Sequence, residues 1–491
     1  MRIYIDGHSF HYEMEKLVRL FYPDEKLTVI AADSGEPEKP YVYTAISERD
    51  GKLQITARVN IAGFDRSGCA EISINTADIK KEAERTLAVC VYDLLCEYTG
   101  RQQPWGILTG VRPIKLFRRL SEQGGEAFAK EYFTQKLKVS PEKTELSAIT
   151  EGYEKKILSL SQPDSFSLYV SIPFCPTRCS YCSFVSQTIE RAKNLVEPYF
   201  ELLCRELEYT AGIVKEKKLR LESVYIGGGT PTTLDPYQLS VLIRIIKQNF
   251  DMTTCREFTI EAGRPDTITK DKLCAIIEGG VDRISINPQT LNDSVLEVIG
   301  RKHNTAQFYD SFRLARQLGF RHINTDLIAG LPSDSVESFR DTLDRICELS
   351  PESVTVHTLA LKRSSRLTLE GAGTSSDSGA AAAGMLEYCE KRLMENSYHP
   401  YYLYRQTRMQ GNLENVGWSK GGFDGIYNVF VMDETHTIVG CGAGAVTKLK
   451  EPCSDSLKRI FNYKYPYEYI NGFEEMLKRK DQVKSFYDEL S

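Results

Sequence analysis

No histidine occurs between His11 and His303, although the sequence has seven in all. A metal site built locally in that stretch must therefore draw on cysteine or carboxylate. No run of 18 apolar residues is present, which excludes a membrane-spanning helix. Basic residues are not in excess: 62 Lys and Arg against 67 Asp and Glu leave a net charge of −5. Attraction of nucleic acid by charge alone is thereby excluded. The start, Met-Arg-Ile-Tyr-Ile-Asp, lacks the apolar core and cleavage site of a secretion signal. The expectation is a cytoplasmic protein with reduced thiols. No internal repeat is evident.

Cysteine, in contrast, is concentrated. Three of the 13 fall within eight residues, in Ser171-Ile-Pro-Phe-Cys-Pro-Thr-Arg-Cys-Ser-Tyr-Cys-Ser-Phe184. Cys175, Cys179 and Cys182 are spaced C-x3-C-x2-C. Four thiolates would ligate a cubic iron–sulfur cluster fully, so three leave one iron open, as catalytic zinc sites leave a position open. A structural zinc site would want a second ligand pair, and none follows. A disulfide needs an oxidising compartment. Buried small thiols are the remaining plain alternative.

A chain of 491 residues exceeds one ordinary core. Six runs read as strands: 168–172, 222–226, 257–261, 283–286, 322–327 and 353–357. Helical stretches separate them, such as 238–249 with Leu239, Leu242, Ile245 and Ile246 on one face. The alternation predicts parallel strands with right-handed crossovers, and six units make a partial (β/α)6 barrel. Chemistry then belongs at the C-terminal strand ends, and the cysteine triplet directly follows the first strand. Around this α/β barrel, expected at 161–372, the sequence predicts an N-terminal α/β domain at 1–105. A helical linker is expected at 106–160 and a C-terminal mixed α/β domain at 373–491. Residues 41–45 and 53–59 alternate like a hairpin, and 374–383 reads as a mobile link.

The second strand runs into Gly227-Gly-Gly-Thr-Pro231, where glycines let backbone N–H groups approach a ligand. With the triplet, this resembles the radical S-adenosylmethionine (SAM) superfamily. The resemblance implies a 4Fe-4S cluster on Cys175, Cys179 and Cys182, whose open iron chelates the methionine part of SAM, with SAM then split to a 5′-deoxyadenosyl radical. It also implies an aromatic residue, Tyr181, near the adenine. Four segments narrow the match: Tyr169-Val-Ser-Ile-Pro-Phe-Cys175, Tyr225-Ile-Gly-Gly-Gly-Thr-Pro-Thr232, Gly300-Arg-Lys-His303 and Asp326-Leu-Ile-Ala-Gly-Leu-Pro332. They resemble the oxygen-independent coproporphyrinogen III oxidase family over about residues 165–365, and Leu108-Thr-Gly-Val-Arg-Pro113 resembles its HemZ branch. The family's SAM contacts would fall on Tyr169, Gly228, Gly229, Thr230, Glu261, Gln289, Arg301, Asp326 and Ala360. Taken singly, each has a plain alternative: Glu261 and Asp326 as helix caps, Arg301 in a surface ion pair.

The family reaction converts two propionates of coproporphyrinogen III to vinyls, and it implies a flavodoxin- or ferredoxin-type electron donor. A tetracarboxylate substrate calls for cations, and Arg264, Lys362, Arg363, Arg366, Arg405 and Arg408 are the candidates. Tyr401, Tyr402 and Tyr404 are candidates to stack on the macrocycle. The bland alternative is a solvated basic edge. Departures from the family pattern are Phe184 in place of a fourth cysteine, Glu261-Ala-Gly-Arg-Pro265 for E-x-N-P, and Asn287-Pro-Gln289 for G-V-Q. A heme-binding chaperone of the same superfamily is one alternative, but its H-N-x-x-Y-W motif is Gly411-Asn-Leu-Glu-Asn-Val-Gly-Trp418 here. Another is a different radical reaction on a tetrapyrrole. Gly440-Cys-Gly-Ala-Gly-Ala445 lacks the full dinucleotide fingerprint and resembles a glycine turn of the family's C-terminal domain.

Overall fold

The computed structural model describes residues 1–490 apart from 33–36, 363–364, 370–375 and 453, and apart from the side chains of 376 and 377. Arg363, one of the expected substrate cations, lies outside the described residues, as does the first part of the expected link. The chain divides into two units: 1–151 with 372–383 and 404–414, and 152–371 with 384–403 and 415–491.

The first unit holds β1 (Arg2–Asp6), β2 (Thr28–Ala31), β3 (Tyr41–Arg49), β4 (Lys52–Ile61) and β5 (Phe64–Ser73) in the order β2-β1-β3-β4-β5. The expected hairpin is β3–β4, with Arg49 opposite Lys52. Its two-residue turn, Asp50-Gly51, has positive φ at both positions, the geometry that matches strand twist. One face of the sheet is covered by helices His11–Phe21 and Ile79–Thr99, whose Met14, Val18, Leu87 and Val91 bury against Ile3, Val42 and Val59.

The second unit is built on an eleven-stranded sheet. Its strands are β6 (Ser165–Ile172), β9 (Arg220–Gly228), β10 (Glu257–Gly263), β11 (Arg283–Ile286), β12 (Ile323–Ala329), β13 (Ser353–Thr358), β14 (His399–Tyr404), β15 (Asn415–Ser419), β16 (Thr437–Cys441), β17 (Val446–Lys450) and β18 (Leu457–Phe461). A short pair, β7 (Phe174–Cys175) and β8 (Gln187–Thr188), stands apart. Strands β6, β9, β10, β11, β12 and β13 are parallel neighbours in that order, each coinciding with one of the six predicted runs. Near-continuous burial along β6 and β9 is what a parallel sheet covered on both faces requires. After the first, Ile189–Glu216, which lacks one, the crossover helices start at side-chain caps. Asp235 with Gln238 and Asn304 with Gln307 form capping boxes, and Thr269 and Ser335 cap alone.

The six strands do not close on themselves. β13 pairs antiparallel with β15, and β6 pairs parallel with β16. The C-terminal residues therefore extend the barrel sheet on both flanks, where the sequence reading places a boundary at 373. The reason is non-local pairing, Val439 with Leu168 and Gly440 with Tyr169, for which local periodicity carries no signal. Likewise 372–383 and 404–414 group with the first unit.

Candidate functional site

The cysteine loop leaves β6 through Pro173, and Cys175 sits in β7. The loop is fastened from two helices that follow later strands. The Ser180 N–H donates to Ile299 O (3.0 Å), and Leu367 N–H donates to Ser180 O (3.0 Å). Cys179 is buried; Cys175 and Cys182 are partly so. Burial, with the neighbouring Cys179 and Cys175, pushes the Cys182 thiol up to about 11.

The glycine loop serves the cysteine loop directly. Gly229 N–H donates to Ile172 O (2.8 Å) and Thr230 N–H to Phe174 O (2.7 Å). These two amides are committed to backbone carbonyls, so the expectation that the loop turns its N–H groups to a ligand is corrected for Gly229 and Thr230. The glycines are needed for close approach instead. A Cβ at Gly229 would lie 3.0 Å from Cys175 Sγ, and Gly228 has φ +107° against Ser171. The Thr230 hydroxyl faces Cys175 Sγ at 3.6 Å.

The barrel interior carries Tyr169, Tyr225, Glu261 and Asp326. Tyr225 donates to Glu261 Oε1 (2.5 Å) and stacks on Tyr427 with ring centroids 4.4 Å apart. Tyr169 lies parallel to both rings. Burial, then the nearby Asp326 charge, pushes the Glu261 carboxyl up to about 7, against the Tyr225 bond. Burial also opposes the Asp326 charge, but His357 and the Asn324 amide (2.7 Å) hold it below its usual range. Gln289, at φ +70°, donates its N–H to Asp326 O (3.0 Å) and accepts from Ile328 N–H (3.0 Å). It therefore ties the β11 end to β12. Arg301 donates through Nη2 to Tyr181 OH (3.1 Å) and through Nη1 to Asn287 O (3.3 Å). Its buried Nε has no hydrogen-bond partner among the described residues. Burial works against this charge, yet Tyr181 and Cys179 beside it hold the guanidinium more basic than usual. Tyr181 packs against the apolar cluster that includes Val295, Ile299, Ile328 and Leu367. Ala360, just past β13, is half-buried.

Two expected substrate cations are corrected. Arg405 is 4% exposed. Its guanidinium donates to Leu108 O (2.6 Å) and Asn412 O (2.9 Å) and lies over the Trp105 ring, a backbone staple with no open face for a propionate. Arg264 is equally buried and forks onto Asp266. Tyr401 and Tyr402 are also interior: Arg283 donates to the Tyr401 hydroxyl (3.3 Å), and Tyr402 lies against Gly417. Arg408 and Arg366 are exposed, and Lys362 is half-buried. Arg366 opens the short helix Arg366–Leu369, which is bonded to the cysteine loop through Leu367. Sequence reasoning missed Tyr225, Asn324, His357 and Tyr427. The first three occupy inward-facing strand positions a period-two count finds, whereas Tyr427 carried no signal.

Do these residues suit the cluster and SAM that the resemblance implies? Among the described residues no three Cys, His, Asp or Glu side chains gather tightly enough for one metal ion, and a four-iron cluster spaces its thiolates more widely. Two donors, Thr230 Oγ1 and Arg264 Nη1, face the sulfurs of Cys175 and Cys179, as hydrogen bonds to cluster sulfur require. The unpartnered Nε of Arg301 suits a carboxylate. The donor set fits.

A radical SAM superfamily model matches residues 169–346. The chain is 34% identical to the oxygen-independent coproporphyrinogen-III oxidase-like protein HemZ of Bacillus subtilis (strain 168), over 98% of each chain. It is 30% identical to the heme chaperone HemW of Lactococcus lactis subsp. lactis (strain IL1403), over 66% of this chain and 80% of that one. Among solved structures, coproporphyrinogen III oxidase (HemN) from Escherichia coli aligns with a TM-score of 0.51 at 23% identity. That alignment covers 66% of this chain and 72% of that one, and it shows the shared fold.

Proposed function

We propose, from the premise that this chain belongs to the radical SAM superfamily and within it to the family of oxygen-independent coproporphyrinogen-III oxidase-like proteins, that it is an oxidoreductase turning coproporphyrinogen propionates into vinyls. Its cofactors are a 4Fe-4S cluster and SAM. When bound, they supply one-electron cleavage of SAM and hence a radical able to remove a hydrogen atom. Each propionate would give one hydrogen atom to the 5′-deoxyadenosyl radical and one electron to an external one-electron acceptor, and lose CO2, to become a vinyl.

The observation that carries the reading is convergence. The cysteine loop follows β6 and Gly227–Thr230 ends β9, Glu261 and Asp326 lie in β10 and β12, and Arg301, just past the helix Asp293–Val298, bonds both Tyr181 of the loop and Asn287, which in turn accepts from Asp326 N–H. In our reading Cys175, Cys179 and Cys182 hold the cluster. Arg301 grips the SAM carboxylate, Asp326 accepts from a ribose hydroxyl, and Tyr181 lies near the adenine. Tyr169, Gly228, Gly229, Thr230, Glu261, Gln289 and Ala360 complete that pocket. Arg366, on the helix bonded to the cysteine loop, and Lys362 are the cations assigned to substrate carboxylates, with a reduced flavodoxin- or ferredoxin-type protein as electron donor. A cytoplasmic setting suits thiols that must stay reduced; no helix among the described residues is long and apolar enough to cross a membrane.

The second reading, heme carriage, is favoured by the likeness to HemW. Against it, Gly411–Trp418 contains no histidine, and Trp418 is buried in β15. One experiment separates them. Anaerobically reconstituted protein is given SAM, a reductant and coproporphyrinogen III, and 5′-deoxyadenosine and vinyl products are measured. Both products support the proposal. Deoxyadenosine without vinyl products refutes the substrate, and stoichiometric heme binding without turnover favours the carrier.

A further inference from the structure

Glu261-Ala-Gly-Arg-Pro265 is one residue longer than the family's E-x-N-P, and Arg264 is the residue before its proline. The chain leaves β10 at Gly263, whose φ of +60° turns the next residue back toward the cysteine loop. Arg264 is 4% exposed. Its Nε and Nη2 donate to the two carboxylate oxygens of Asp266, at 2.9 and 2.7 Å. This fork fixes the guanidinium plane and leaves Nη1 one direction. Nη1 donates to Thr177 O (3.1 Å), to Thr177 Oγ1 (2.7 Å) and to Cys179 Sγ (3.9 Å). A buried cation thus points at one of the three thiols and grips the backbone two residues before it. The residue is spent inside the protein, which is why it fails as a substrate clamp.

The charge of such a group has a direct consequence. The potential of an iron–sulfur cluster depends on net charge, hydrogen bonds to sulfur and exposure to solvent. Reduction adds a negative charge at the cluster. A fixed donor cation at Cys179 stabilises the reduced state more than the oxidised one, and Asp266 offsets part of that charge while aiming the fork. Lysine has no planar fork and cannot hold the carboxylate in two places while facing sulfur.

We propose that Arg264, aimed by Asp266, is a positioning residue that sets the reduction potential of the cluster at Cys175, Cys179 and Cys182. This rests on the assignment of those cysteines as cluster ligands. The test is a redox titration of the reconstituted full-length protein, read by the electron paramagnetic resonance of the reduced cluster, with no substrate present. Arg264→Gln is expected to shift the midpoint to more negative potential and Arg264→Lys to recover part of the shift. Asp266→Asn removes the offsetting charge while its amide oxygen still accepts from Nε and Thr177 still holds Nη1, so it is expected to shift the midpoint to more positive potential. A merely structural loosening would move both sites the same way. Shifts of the same sign, or unchanged midpoints at full iron and sulfide content, overturn the proposal. If Arg264→Gln takes up no iron, Asp266→Asn decides alone: a positive shift supports, and a negative or absent shift refutes. Failure of the underlying assignment looks different, because Cys179→Ala would then keep the wild-type cluster spectrum and midpoint.

Discussion

Replacement of Gly229 by alanine tests whether the glycine loop exists to seat the cysteine loop. A Cβ there would stand 2.5 Å from Phe174 O, 2.9 Å from Ile172 O and 3.0 Å from Cys175 Sγ. Two of these are backbone oxygens, which cannot swing aside as a side-chain tip can. The φ of Gly229 lies outside the left-handed region, so alanine meets no conformational penalty and the cost is steric. Overpacking of this kind costs about 1–3 kcal/mol. Moving the chains apart also stretches the bonds from Gly229 N–H and Thr230 N–H, each contributing about 1 kcal/mol. The sum is roughly 3–5 kcal/mol, concentrated at the residues that carry Cys175.

The assay is paired. Urea unfolding of the apoprotein gives the stability change, and iron and sulfide per chain after anaerobic reconstitution give the state of the site. Gly421→Ala is the control, because a Cβ there meets nothing within 4 Å, and its effect should stay within about 0.5 kcal/mol. Gly229→Ala should lose most of its iron while keeping its secondary structure. A Gly229→Ala protein with full iron content and the urea midpoint of the control would refute the idea that the loop is there for close approach.

Glu261 should make the apoprotein pH-sensitive. Its folded pKa is raised from 4.5 to about 7, so the native state holds a proton the unfolded chain has released, and unfolding free energy falls as pH rises from 4.5 to 7. The fall is on the order of 3 kcal/mol, and Glu261→Gln should flatten it; an equal slope in the variant refutes the assignment. Arg405→Ala should destabilise by about 2–4 kcal/mol, because buried carbonyls lose a charged donor, whereas Arg408→Ala, at an exposed position, should stay within about 0.5 kcal/mol. Unchanged thermal stability of Arg405→Ala with weakened tetrapyrrole binding would restore its role as a clamp. Lys480 and Glu206 form a fully buried pair at 3.1 Å, and Glu206 also accepts from Gly442 N–H (2.7 Å) and Tyr469 OH (2.6 Å). Lys480→Met should cost about 3–5 kcal/mol by leaving that carboxylate uncompensated, and Lys480→Met with Glu206→Leu should cost less than the two single changes summed. Additive costs in chemical denaturation would show the pair is not coupled.

The six barrel strands were legible because each is a short β-branched run bounded by a helical period, and that signal is local. The outer strands were not. Nothing near Ile438 says that Ser167 is its partner, and the expected C-terminal domain dissolves into flanks of one sheet for that reason. Among the cations, residue type was a poor guide. An arginine that grips propionates and an arginine that staples backbone carbonyls are the same residue in sequence, and only burial tells Arg405 from Arg408. The glycine loop was found by composition, but the Gly229 and Thr230 amides bond to Ile172 and Phe174, and at Gly229 the absent Cβ is what lets the chains approach. Tyr427 reaches the barrel from far along the chain and had no pattern to betray it.

The position of the cysteine loop follows from how many separate parts of the second unit hold it. Ile299 and Leu367 fix Ser180, the glycine loop fixes Ile172 and Phe174, and Arg264 fixes Thr177. Behind the loop, β16 backs β6. There the Ser171 hydroxyl donates to Ala443 O (2.8 Å), and Tyr199 donates to Ser171 O (2.7 Å) while accepting from Ala443 N–H (2.9 Å). A Cβ at Gly442 would stand 2.5 Å from the Tyr199 hydroxyl, so the glycine turn at 440–445 is a packing element and has no need of a dinucleotide to explain it. None of these fasteners is near the loop in sequence except those of β6 itself. The local β7–β8 pairing holds only Phe174 and Cys175, so the rest of the loop depends on the barrel and its C-terminal flank for its placement. Cluster content therefore reports the folding of residues 152–371 and 415–491 together, and truncation before β16 should abolish it even though every cysteine of the triplet remains.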